Sequence, residues 1–166
     1  MTAPLVLVVA MADDGVIGAR GRVPWRIPDD MRRFKALTIG KPIIVGRKTW
    51  DSFPRKPLPG RTNIVITRDR GWSADGALRA HSLDEAIEIA MQEDPAEIGI
   101  IGGAEIYLAA LPRAARIELT EVHTTVAGDA LTVMPPIDRH EWRESHREDH
   151  ATEDGLRYSY VTLERA

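Results

Sequence analysis

Short, unbroken apolar runs spaced along the chain constrain its fold more than any other feature. Leu5–Ala10, Pro42–Gly46, Asn63–Thr67 and Ile98–Ile101 show no polar alternation, so both faces of each must be covered, as in a mostly parallel sheet. Between these runs, Pro28–Leu37, Leu83–Met91 and Ala104–Leu111 carry apolar residues at helical spacing. Ser82 is a good N-cap for the second helix, with Glu85 at the capping-box position. Ile117–Val122 and Tyr158–Leu163 alternate as strands. The stretch between them, with Pro135-Pro136, a charged run and Asp154-Gly155, reads as irregular structure and turn. This order predicts an α/β fold: a mostly parallel sheet, flanking helices and a late antiparallel strand. At 166 residues, without linker or repeat, the chain is expected to form one domain over residues 1–166.

Composition removes several function classes. With 25 acidic against 22 basic residues the net charge is −3, which disfavours nucleic-acid or anionic-membrane partners. There is no cysteine, so disulfides and thiolate chemistry are excluded. The apolar start, followed by Ala10-Met11-Ala12, superficially resembles a secretory signal. No Lys or Arg precedes Arg20, however, and a buried first strand is the expectation. No run approaches the ~20 apolar residues of a membrane span. A cytoplasmic location is expected.

Four segments carry residue types suited to chemistry. In Pro28-Asp29-Asp30-Met31-Arg32-Arg33-Phe34, proline and the two acids suit a helix start. Asp30, Phe34 and Leu37 share one apolar face, with Met31 beside them, while Asp29 points elsewhere. Both acids could serve the helix dipole alone, or Asp30 could be a partly buried carboxylate aimed into a cleft. Ahead of this helix, residues 12–25 read as a long glycine-containing loop ending in Pro24-Trp25, of a length often found in lids. Gly46-Arg47-Lys48-Thr49 follows an apolar run, and a helix starting at Thr49 would aim N–H groups and two cations at an anion. The phosphate-loop spacing fails there, and Gly102-Gly103-Ala104 lacks the dinucleotide fingerprint. His146 and His150 lie four apart within a uniformly polar stretch, which reads as a solvated face rather than a metal site.

Together these segments resemble the dihydrofolate reductase family from Leu5 to about Leu163. The likeness rests on Gly15-Val16-Ile17-Gly18, Pro24-Trp25-Arg26-Ile27-Pro28-Asp29-Asp30, Phe34-Lys35, Val45-Gly46-Arg47-Lys48-Thr49-Trp50, Pro57-Leu58-Pro59-Gly60-Arg61-Thr62-Asn63, Ile101-Gly102-Gly103-Ala104-Glu105-Ile106-Tyr107 and Leu119-Thr120-Glu121. The resemblance implies an eight-stranded, mostly parallel sheet. It also implies hydride transfer from NADPH to dihydrofolate with protonation at pterin N5, and so tetrahydrofolate for one-carbon metabolism. Asp30, Thr120 and Trp25 are the implied catalytic set, with Asp30 on the 2-amino and N3 edge of the pterin. Val8, Val9, Met31, Phe34, Phe53, Leu58, Ile101 and Tyr107 would wall the substrate, and Arg61 would pair with its glutamate α-carboxylate. Cofactor contacts fall on Ala10, Ile17, Gly18, Gly46, Arg47, Lys48, Thr49, Thr67, Arg68, Ile101, Gly102, Gly103, Ala104, Glu105 and Ile106. The diglycine would hold a cis peptide, and the Gly15–Pro24 loop would be a mobile lid. Antifolates such as methotrexate or trimethoprim are implied ligands, the chain is implied to be a monomer, and no metal is implied.

This sequence departs from the family pattern at three places. Glu105 stands where relatives often carry a basic or neutral polar residue. Ala130-Leu131-Thr132-Val133-Met134-Pro135 replaces the usual Thr and aromatic-Pro sequence, leaving the lid-contacting loop open. Arg55-Lys56-Pro57 is slightly lengthened. Two other readings are the NADPH-dependent pyrimidine reductase of riboflavin biosynthesis and a non-catalytic pterin- or nucleotide-binding module. Asp30 with Arg61 argues against the first, and turnover would exclude the second.

Overall fold

A computed structural model describes residues 2–166. In chain order the elements are β1 (Leu5–Ala12), β2 (Val16–Ala19), α1 (Pro28–Thr38), β3 (Pro42–Gly46) and α2 (Arg47–Ser52), followed by β4 (Thr62–Ile66), β5 (Ala77–Ala80), α3 (Leu83–Met91), β6 (Ile98–Ile100) and α4 (Ala104–Ala110). A 3₁₀ turn then leads into β7 (Ala114–Val122), β8 (Leu131–Val133), β9 (Trp142–Ala151) and β10 (Arg157–Arg165). Eight strands form one sheet in the order β5-β4-β3-β6-β1-β7-β10-β9, while β2 and β8 form a separate pair. Pairing is parallel from β5 through β7, and β10 runs antiparallel to both its neighbours.

The apolar runs become the sheet's interior because each can be covered on both faces. Leu7, Ile43, Ile44, Val45, Ile64, Val65, Ile98 and Ile100 are all buried. One core joins Leu5, Leu7 and Val9 to α3, α4 and the β7–β10 side. A second, on the other face, gathers Ile43, Val45, Trp50, Val65, Trp72 and Ile101. Helix α3 starts where its cap predicts: Glu85 N–H donates to Ser82 Oγ at 3.1 Å. The return bond differs from the expected box, because Glu85 Oε2 accepts from His81 N–H instead.

Three expectations need correction. The charged stretch read as irregular contains the ten-residue strand β9, with only Trp142 buried. An edge strand with both faces in water needs no apolar alternation, because backbone pairing alone defines it. His146 and His150 therefore sit on a strand. His150 stacks on Tyr158 with centroids 5.5 Å apart, and no group of three or more metal-ligating side chains occurs among the described residues. The segment read as an unstructured lid contains β2, which pairs with β8 of the loop whose sequence departs from the family. Finally, α2 begins at Arg47 rather than Thr49. Edge strand β5 carries no signal either; its four residues are paired on one side only.

Burial ranks these positions. Leu7→Ala, at the centre of the sheet, should lower unfolding free energy by about 2–5 kcal/mol. Leu78→Ala on edge strand β5, where the side chain is 48 % exposed, should change it by less than about 0.5 kcal/mol. Urea unfolding of the two variants checks this contrast.

Candidate active site at the carboxyl edge of the sheet

Because β1, β3, β4, β6 and β7 run parallel, their carboxyl ends open on one edge, where ligands bind in such sheets. At this edge Ala10 of β1 is paired with Thr120 of β7. Thr120 Oγ1 donates to Asp30 Oδ1 at 2.6 Å, tying the first turn of α1 to the sheet. Burial pushes the Asp30 carboxyl above its ordinary pKa, and the Thr120 bond and the Arg33 charge offset only part of that rise. Asp29 points elsewhere, as its place on the helix predicts: it pairs with Arg32 at the surface and accepts from Tyr158 Oη at 3.4 Å.

Beside Asp30 the walls are apolar. Val8 and Val9 are buried on β1, and Tyr107 Oη donates to Val8 O at 2.7 Å. Burial pushes the Tyr107 phenol far above its usual pKa, so the hydroxyl stays a donor. Phe34, Phe53 and Leu58 are half-buried against the cluster containing Ile101. Met31, expected as a wall, is instead 61 % exposed. Trp25 packs with Ile27, Val122, Tyr158 and Tyr160, while Ile17 of β2 packs against the main core. Gly18 is paired with Thr132 of β8.

Arg61 is held by backbone and a hydroxyl rather than by an acid. Its Nε donates to Pro59 O at 2.9 Å and its Nη1 to Thr38 Oγ1 at 3.1 Å. No carboxylate among the described residues pairs with it, and partial burial lowers its pKa. Two residues that the sequence reading left without a role support this corner. Buried Asn63 receives Leu58 N–H at 2.8 Å and donates to Leu58 O at 3.0 Å and to Arg61 O at 2.8 Å. Thr38, fully buried, presents to Arg61 a hydroxyl already bonded to Phe34 O. A polar side chain beside the continuous apolar run of β4 was the available signal for Asn63.

Across the edge, Gly46 N–H donates to Gly102 O at 2.8 Å, and the Gly102–Gly103 peptide is cis, as the resemblance implies. A Cβ on Gly103 would lie 2.8 Å from Thr49 Oγ1, and one on Gly46 3.2 Å from Ile106 Cγ1, so both positions exclude a larger residue without rearrangement. Helix α4 opens at Ala104 without a side-chain cap, with Glu105 exposed in its first turn. Helix α2 opens with Arg47 and Lys48, two cations at its positive end and unfavourable there unless an anion is close. Arg47 partly compensates by pairing with Asp51 at 3.5 Å and Asp69 at 3.2 Å, with its guanidinium 5.8 Å from the Trp72 ring centroid. Thr67 is buried at the end of β4, and its hydroxyl accepts Asp69 N–H. Arg68 beside it is exposed and pairs with no acid among the described residues.

Comparison with known proteins agrees with this geometry. The family model for dihydrofolate reductase matches residues 4–165. The dihydrofolate reductase of Neisseria meningitidis serogroup B is 46 % identical over 158 residues, covering 95 % of each chain. That of Mycobacterium tuberculosis is 40 % identical over 162 residues, covering 96 % of this chain and 97 % of its own. The structure of Enterococcus faecalis dihydrofolate reductase, complexed with NADP(H) and an RAB-propyl ligand, superposes with a TM-score of 0.89 at 30 % identity, covering 99 % of both chains. By sequence family and by fold alike, the chain belongs to the dihydrofolate reductase family.

Proposed function

We propose that this chain, as a single cytoplasmic domain acting as a monomer, reduces dihydrofolate to tetrahydrofolate with NADPH. The observation that carries the reading is the half-buried Asp30 carboxyl, bonded to Thr120 at the carboxyl edge of an otherwise apolar cleft. When bound, NADPH supplies the hydride. The diglycine packed against Thr49, the small residue at Gly46 and the cations of α2 fit such a dinucleotide, which needs close backbone approach and positive charge. Ala10, Ile17, Gly18, Ile101, Ala104, Glu105 and Ile106 would complete its contacts.

Hydride transfer to the pterin needs a proton at N5. Asp30 would hold the 2-amino and N3 edge and keep a proton available, because desolvation disfavours its charged form. Thr120 would fix the carboxyl's orientation, and Trp25 would close the site at the base of the β2 segment. Val8, Val9, Phe34, Phe53, Leu58, Ile101 and Tyr107 would exclude water from the rings. Arg61 would meet the glutamate α-carboxylate, a role its lack of an acidic partner leaves open. Antifolates of the methotrexate or trimethoprim type would compete for the Asp30 carboxylate. The primary test is loss of NADPH absorbance on adding dihydrofolate, repeated with methotrexate. A chain that binds both ligands but never oxidises NADPH is a binding module, and the reading falls.

Asp30→Asn preserves shape and the acceptor for Thr120 but removes the acid, so turnover should fall about 10²–10⁴-fold with a smaller loss of binding. The same change should stabilise the fold. The folded protein retains the Asp30 proton at a pH where the unfolded chain has released it, so wild-type stability declines as pH rises through that window. Urea unfolding should show the gain for Asp30→Asn at neutral pH and its loss at strongly acid pH.

Arg61→Lys removes the forked geometry that matches a carboxylate and should weaken dihydrofolate binding while sparing a pteridine without the glutamate. Equal losses for the two ligands would make Arg61 a structural residue.

Cofactor choice should depend on Arg47 and Arg68. A charge-assisted contact to the ribose phosphate contributes roughly 1.5–3 kcal/mol, so each arginine removed should cost about one to two decades of NADPH preference over NADH. The ratio of kcat/KM values for Arg47→Ala and Arg68→Ala measures this. A ratio unchanged by Arg68→Ala would assign Arg68 to the solvated turn.

A further inference from the structure

A row of charges leads away from Asp30 along one face of β7. Thr120, Glu118 and Arg116 project from alternate positions of that strand, and their partners are Asp30, Arg33 and Glu97 in turn. Glu118 is buried and its carboxylate is divided. Oε1 accepts Thr162 Oγ1 at 2.6 Å and Arg33 Nη2 at 3.3 Å, and Oε2 accepts Arg116 Nε at 2.9 Å. Arg116 also grips Glu97 through two nitrogens, at 2.6 and 3.2 Å, and Lys41 Nζ bonds the same acid at 2.9 Å. Arg33 thus receives the longest of the three contacts to Glu118. Its guanidinium lies 4.4 Å from the Tyr160 ring centroid, with the side chain 18 % exposed.

This leaves a fixed, incompletely neutralised cation one helical turn after Asp30. The groups facing Asp30 are the Thr120 hydroxyl on β7, Tyr158 and Tyr160 on β10, and its α1 neighbours Asp29 and Arg33. Burial raises both tyrosines, which therefore stay uncharged, and His150 of β9 stacks on the Tyr158 ring and packs tilted against that of Tyr160. Asp29 is paired with Arg32. Arg33 is the cation nearest Asp30 along α1, its charge offsets part of the rise that burial causes, and Glu118 is the acid that holds it.

We propose that Arg33 is a positioning residue for the reaction, held by Glu118 and Tyr160 one helical turn from Asp30 so that its charge favours the Asp30 carboxylate. The inference rests on Asp30 being the acid of the reaction proposed above. Nothing in the hydrogen bonding of Arg33 requires contact with substrate; it acts through Asp30. Removing the cation takes away an opposite charge that favours the carboxylate, so Asp30 should hold its proton to higher pH. Removing Glu118 should leave the Arg33 charge less restrained and move Asp30 the other way.

The experiment is a carbon-13 NMR titration of the aspartate carboxyls, with Asp30 assigned by its loss in Asp30→Asn. In Arg33→Met the Asp30 midpoint should rise by about 0.5–1 pH unit, since one partly screened opposite charge is lost. In Arg33→Lys it should stay near the wild-type value, and in Glu118→Gln it should fall. The alkaline limb of single-turnover dihydrofolate reduction should move in the same direction in each variant. An unmoved midpoint in Arg33→Met, or an equal rise in Arg33→Lys, overturns the proposal, because shape rather than charge would then matter. If Arg33→Met fails to fold, Glu118→Gln still decides, since no downward shift there also overturns it. A midpoint that moves while the rate limb stays supports the coupling and overturns Asp30 as the acid of the reaction.

Discussion

Parallel pairing of β1 between β6 and β7 is the constraint on which the rest depends. It brings the carboxyl ends of strands distant in sequence to one edge, so that Ala10 faces Thr120 and Gly46 meets Gly102. Side chains alternate along a strand, and a one-residue slip in β7 would turn Thr120 and Glu118 away from α1. The register therefore positions both the Thr120–Asp30 contact and the charge row beside it. Buried apolar residues on both sides of the sheet make that register hard to shift.

Within this frame the site is a set of exceptions to apolar packing, each satisfied by a specific partner. Asp30 has Thr120, Tyr107 has the Val8 carbonyl, Arg61 has Thr38 and Pro59, and Asn63 binds three backbone groups. No buried side-chain nitrogen or oxygen among the described residues lacks a hydrogen-bond partner. Desolvation nevertheless keeps Asp30 inclined to hold a proton, which disfavours the folded state above the ordinary carboxylate range and suits acid chemistry. Stability and function pull in opposite directions at that one group.

Several elements were hidden from sequence reading for a common physical reason. β9, β5 and the β2–β8 pair are short or lie at edges, and their pairing is made by backbone groups that carry no residue signature. Arg47 looked like the flank of a helix at Thr49, yet the helix starts at Arg47 and places both cations in its first turn. Asn63 and Thr38 stood in plain view as polar residues, but only their three-dimensional neighbours reveal that they brace the Leu58–Arg61 segment.

The sequence by itself determined the α/β class, the buried strands, α1, α3 and α4, and the family pattern that singles out Asp30, Arg61 and the diglycine. These are legible because apolar periodicity, caps and fixed motif spacings are local properties of the chain. Tertiary structure decided how much of Asp30 is desolvated, that Thr120 bonds it directly, and that Met31 stands in solvent. It also decided that Arg33, one turn from Asp30, faces a Glu118 already shared with Arg116 and Thr162. Burial and charge depend on groups up to 129 residues apart in the chain, and no local pattern records which of them meet.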